Sequence, residues 1–141
     1  MSTLVLIILA ACQGGLPTVE PSAPAGRDIT VNLPRGDAER GGELALSKGC
    51  LACHAGAAGI GPDWQPTDAL PGIGARAALR PGQNDYTGQA TNAHQYLFES
   101  IALPGAYLVE GFSEGVMPDG FGNLATAQDM ADIIAFLLTI Q

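Results

Sequence analysis

Past Arg80 the chain contains no lysine or arginine. Residues 81–141 hold seven carboxylates with nothing to offset them, which accounts for most of the net charge of −8. A half this acidic argues against a nucleic-acid partner, whose phosphates need cations. It suits a protein partner with a basic docking surface. Large side chains are also scarce: aromatics make up 6 % of the residues, against 19 glycines and 10 prolines. Such a chain builds a thin core and needs another organising mass, such as a cofactor. No apolar run approaches the roughly 20 residues that span a bilayer. Three cysteines are an odd number, so a simple disulfide framework is excluded.

The longest apolar run is Leu4–Ala11, which ends at Cys12. It has the character of a secretory signal, although no basic residue precedes it. "LAAC" resembles a bacterial lipobox. That resemblance makes residues 1–11 a lipoprotein signal peptide and Cys12 the lipidated first residue of the mature chain. It implies a bacterial cell-membrane location, lipid-anchored on the periplasmic or extracytoplasmic side. Residues 12–36 are rich in Pro, Gly and small polar side chains and read as a flexible tether. Free, they would wander roughly 25–30 Å end to end.

The globular part begins at Asp37 and runs to residue 141. "DAERGGELALSKG" carries an N-cap (Asp37), early acids, a late base and Gly49 as a stop, so it reads as a short helix leading into Cys50. Gly41 and Gly42 each cost about 1 kcal/mol inside a helix, a cost that makes sense where a second helix crosses closely. Residues 55–90 read mostly as loop, with a helical turn near Ala75–Leu79. A clearer helix is capped by Thr91 or Asn92 and ended by Pro104. A long loop over 104–125 follows. The last helix opens at Thr126 with Asp129 in a capping-box arrangement. Its polar residues, Gln128, Asp132 and Thr139, fall on one narrow stripe beside Asp129. The broad apolar remainder either covers the core or docks on another protein. No segment reads as a convincing strand.

Cys50-Leu51-Ala52-Cys53-His54 is C-x-x-C-H, the pattern of c-type haem attachment. Two thiols at this spacing reach the two vinyl groups on one porphyrin edge, and the next residue presents its imidazole to the iron. Two alternatives stand beside it. A structural zinc site needs four ligands, and no second C-x-x-C exists. A thioredoxin-like pair needs a βαβ context. With haem, the second axial ligand is Met117, in the Gly/Pro loop "GVMPDG", where a thioether can be carried over an open ring face. Met130 lies at core spacing with Ile133, Ile134 and Leu137. His94 sits in the first turn of a helix and reads as solvated.

From about residue 37 to 141 the chain resembles a class I c-type cytochrome domain, monohaem and His/Met-ligated. The features that carry the resemblance come in order: Gly41 in a first helix, Cys50-x-x-Cys53-His54, Gly61-Pro62, Tyr96 in a middle helix, Met117-Pro118 and a last helix. It implies an all-α cytochrome c fold of three to five helices and long loops around one covalently bound haem c. Cys50 and Cys53 would hold the haem, with His54 and Met117 on the iron. The Pro62 carbonyl would accept the other His54 ring N–H. Arg76 would steady a haem propionate, with Tyr86 and Trp64 near a propionate or the haem edge. Gly41 would let the first and last helices cross near Ile133 and Phe136. The family often has an aromatic residue one turn after that glycine; here the place holds Ala45.

The function implied is one-electron transfer by a membrane-anchored protein that is not an enzyme. It would act as a tethered carrier or as a subunit of a respiratory or photosynthetic complex, exchanging electrons with redox protein partners. The competing class is a haem enzyme or gas sensor with an open sixth position.

Overall fold

The computed structural model describes residues 18–56 and 59–141. The signal segment and Cys12 lie outside the described residues. Helices α1 (Ala38–Ser47), α2 (Leu51–His54), α3 (Ile73–Leu79), α4 (Ala93–Ala102), α5 (Phe121–Leu124) and α6 (Ala127–Thr139) follow in order, with a 3-10 turn at Arg80–Gly82. Four exceed one turn; α2 and α5 are single turns, too short for apolar periodicity to register. Among the described residues no helix is long and apolar enough to cross a membrane.

The caps anticipated from sequence form. Asp37 accepts from the backbone N–H of Glu39 and Arg40 at the head of α1. Asn92 accepts from Gln95 N at α4, and Thr126 from Asp129 N at α6. The tail of α1 leads directly into the cysteine pair. Gly49 adopts φ +78°, Gly49 N donates to Leu46 O and Cys50 N to Ala45 O. This is a Schellman ending, which needs a left-handed residue and so suits glycine. It turns the chain at a fixed angle and sets where Cys50 emerges.

Helices α1 and α6 cross at backbone contact. A Cβ on Gly41 would overlap the Asp132 carbonyl oxygen and lie 2.9 Å from the Phe136 Cβ. Ala45, one turn after Gly41, is fully buried. On the far side of α6, Ile134 and Leu137 pack with Leu97 and Phe98 of α4, all nearly inaccessible to solvent. Each such side chain stabilises the fold by about 1.5–3 kcal/mol. Helix α3 closes the end of the bundle, with Gly74 N donating to Ile140 O at 2.8 Å.

Gln128 and Asp132 of the α6 polar stripe turn inward to the crossing, while Thr139 is exposed. Asp132 is completely buried; its Oδ1 accepts from Asp37 N and from Gln128 Nε2, and its Oδ2 from Arg40. Arg40 and Lys48 also pair with Asp129. The apolar remainder of α6 covers the core (Met130, Ala131, Ile133, Ile134 and Leu137 are buried), which leaves little of it for docking elsewhere.

The expected free tether over residues 12–36 is corrected for residues 18–36, which strap the domain. Ala25 and Ile29 are buried in the core, and Val31 and Leu33 pack against it. The carbonyls of Pro21 and Ala23 accept from Gln128 N and Ala127 N. The first backbone N–H groups of a helix have no partner within it. Here the strap satisfies two of them, with Gln128 Nε2 held on the Arg35 carbonyl as well. The apolar alternation Ile29, Val31, Leu33 is the sequence signal of this packing, and the surrounding Pro and Gly obscure it.

Asp129 provides a pH test of the crossing. Partial burial pushes its carboxyl up, but Lys48 and Arg40 outweigh this and hold it below its ordinary 3.8. A depressed folded value means stabilisation that is present above about pH 4 and lost as pH falls through the folded value. We expect Asp129→Asn to be less stable than wild type at pH 6 and to lose less stability between pH 4 and pH 2, as measured by urea unfolding followed by circular dichroism.

Candidate functional site

Among the described residues, the turn that follows α1, helices α2, α3, α4 and α6 and the 104–120 loop enclose a large, mainly apolar cavity. Cys50, Cys53, His54, Arg76 and Met117, all singled out from sequence, line it. Both thiols are half-buried and unpaired. Burial raises the Cys50 thiol above its ordinary range, so it is held as a neutral thiol. Among the described residues, no group of three or more His, Cys, Asp or Glu side chains is arranged to hold a metal ion, as the zinc alternative requires.

His54 is fixed from two sides. Its Nδ1 lies 2.8 Å from the Pro62 carbonyl. A carbonyl can only accept, so Nδ1 carries the proton and Nε2 keeps its lone pair. Trp64 stacks on the imidazole, with ring centroids 4.8 Å apart and planes 10° apart. Trp64 N also donates to the His54 carbonyl at 3.0 Å. Gly61 leaves the third side open: a Cβ there would sit 2.9 Å from the ring Cε1 and 3.0 Å from Nδ1. Burial lowers the His54 pKa, against the opposing pull of the Pro62 hydrogen bond, and so favours the neutral ring. Trp64, expected from the family resemblance near a propionate or the haem edge, lines the cavity with its indole stacked on the imidazole; nothing in the sequence signalled that stack.

Arg76 on α3 donates from Nη2 to the Asp63 carbonyl, while its Nε is buried with no hydrogen-bond partner. A guanidinium stays charged. An unpaired buried donor costs about 1–3 kcal/mol, so this edge of the cavity is prepared for an anionic acceptor. Met117 lines the cavity from its loop, Met130 is fully buried in the core, and His94 does not reach the cavity. Tyr86 also stays outside it. Its hydroxyl donates to Glu99 and accepts from Ala90 N. Burial, then the Glu99 hydrogen bond, raises its pKa. Glu99 is itself buried and accepts from Gln89 N at 2.7 Å, clamping the 86–90 loop onto α4. Its place on α4, three residues from both Tyr96 and Ala102, was the available signal that it faces inward.

A family model described as Cytochrome c matches residues 38–141. No curated protein and no solved structure matches significantly. That family binds covalently attached haem c, and the residues present fit it. Two unpaired thiols, an imidazole with a free Nε2 and an orphaned arginine donor all border one apolar cavity. With nothing in that cavity, its lining would be left without packing partners. We expect a Cys50→Ser, Cys53→Ser double variant to lose covalent haem. We also expect it to lose the cooperative thermal transition and most near-ultraviolet circular dichroism of the wild type while keeping part of its helical signal.

Proposed function

The chain belongs to the cytochrome c family, whose domains transfer electrons; on that premise we propose that it is a lipid-anchored monohaem carrier whose iron is ligated by His54 and Met117. Covalently bound haem c supplies an iron that accepts one electron and passes it on. The protein's part is to hold that iron's surroundings constant. Cys50 and Cys53 would form the thioethers, His54 Nε2 and the Met117 thioether the axial bonds, and Arg76 Nε would meet a propionate. The carrying observation is that His54 and Met117 line the same cavity from different segments of the fold. With both axial positions filled, little rearranges on reduction and no position is left for substrate. A soft, neutral thioether in apolar surroundings favours the ferrous state and a relatively high potential.

Lipidation of Cys12 would hold the domain close to its membrane. The strap begins at Thr18, so the six residue steps from Cys12 reach about 20 Å at full extension. This short reach supports exchange with partners at the same extracytoplasmic surface, including fixed membership of a respiratory or photosynthetic complex, over long-range shuttling. Gentle detergent extraction from the native membrane, followed by a visible spectrum and an inventory of copurifying proteins, tests both parts. We expect a six-coordinate low-spin ferric protein with the Met–iron charge-transfer band, recovered with redox partners. A five-coordinate high-spin spectrum would support an open-iron enzyme or sensor, and recovery as a free monomer would count against the fixed subunit.

Glu110 and Glu114 are exposed on the loop that carries Met117, and no lysine or arginine occurs in that half of the sequence. These charges suit a partner that docks through basic residues. We expect the electron-transfer rate with such a partner to fall as salt rises from 10 to 300 mM. An unchanged rate would remove electrostatic docking.

A further inference from the structure

The 104–120 loop has no regular structure and takes left-handed turns at Gly111, Gly115 and Gly120. Its own hydrogen bonds are few. Ala106 N donates to Leu103 O and Phe112 N to Val109 O. Among the described residues, the bond from Arg27 Nη1 to Asp119 Oδ1, at 2.6 Å, is the one polar tie between residues 113–119 and the rest of the fold. It comes from the strap. Next to it, Gly26 N donates to Gly122 O at 2.7 Å and Ala25 N to Ala125 O at 3.0 Å, and Pro24 pairs with Thr126 in an antiparallel bridge. The approach is close enough that a Cβ on Gly122 would overlap the Gly26 carbonyl oxygen. Residues 119, 122 and 125–126 are thus fastened in sequence to residues 27, 26 and 25–24. Arg27 and Ile29 on the strap and Met117 and Glu114 on the loop line one shared cleft.

We propose that residues 24–27 are a positioning element for the Met117 loop, holding it closed over the cavity from outside. The inference rests on the reading of Met117 as axial ligand. A loop held by few contacts opens locally with a small free energy. An added ligand that competes for the iron then binds in proportion to the open fraction. Strap contacts lower that fraction.

Imidazole titration of the ferric protein reads the open fraction directly, through loss of the Met–iron charge-transfer band. Arg27→Ala should bind imidazole about 2–5-fold more tightly than wild type, since the ion pair is exposed and modest in strength. Asp119→Ala should match it, and the double variant should add little. In 1 M salt the difference should vanish. Gly122→Ala, which pushes the strap off two backbone bonds, should bind about tenfold more tightly. Thermal melting of Arg27→Ala followed by far-ultraviolet circular dichroism should stay at the wild-type midpoint, which separates positioning from a general structural role. Wild-type imidazole affinity in both Arg27→Ala and Asp119→Ala would overturn the proposal while leaving the ligand reading intact. A wild-type ferric protein without the Met–iron band would remove the ligand reading, and this inference with it.

Discussion

Two helix backbones touch where α1 crosses α6, because Gly41 offers no side chain to the Asp132 carbonyl. The position of the candidate site follows from that contact. Helix α1 ends six residues later, at Ser47, and a glycine-dependent turn then delivers Cys50 to the cavity. Helix α6 presents Ile133 and Leu137 as part of the cavity lining. The pair of helices therefore fixes the attachment thiols relative to an apolar wall. Asp132 is locked into the same crossing, accepting from the backbone and side chains of three other residues. Breaking such a buried polar network strands several groups at once, so the crossing tolerates little adjustment.

The two sides of the cavity are held by different means. On the His54 side the constraints are local in sequence: Gly61, Pro62 and Trp64 all lie within ten residues of the imidazole they fix. A ring restrained by one hydrogen bond and one stacked indole has little freedom to turn. On the Met117 side the loop has few bonds of its own and meets a strap about ninety residues away in the chain. On the proposed reading, with the imidazole held rigidly and the Met117 loop held from outside, opening would start at the thioether. Arg76 stands at the edge between these sides with an unsatisfied donor, the clearest local sign that the cavity is completed by an anionic group.

Much of this is legible in the residue order. The caps at Asp37, Asn92 and Thr126 use side chains that bond their own helix starts, so local sequence suffices to place them. Gly41 is legible as a crossing point because glycine inside a helix is costly without a neighbour that needs it. Cys50, Cys53 and His54 are close in sequence and share one turn, so their convergence requires no knowledge of the fold. Met117 is singled out by elimination among two methionines and a histidine, and it lines the cavity.

What the sequence alone determined are the relations between residues near one another: helix starts and stops, the C-x-x-C-H turn, and the Gly-Pro segment beside it. Only the tertiary structure decided the rest. It turned Asp132 of the α6 polar stripe inward onto Arg40 and Asp37, stacked Trp64 on His54, buried Glu99 against Tyr86, and made residues 18–36 a strap rather than a tether. The reason is common to all four. Each depends on a partner remote in the sequence or on a direction of approach. Composition and periodicity record which side chains can be buried or paired, but not which surface comes to meet them.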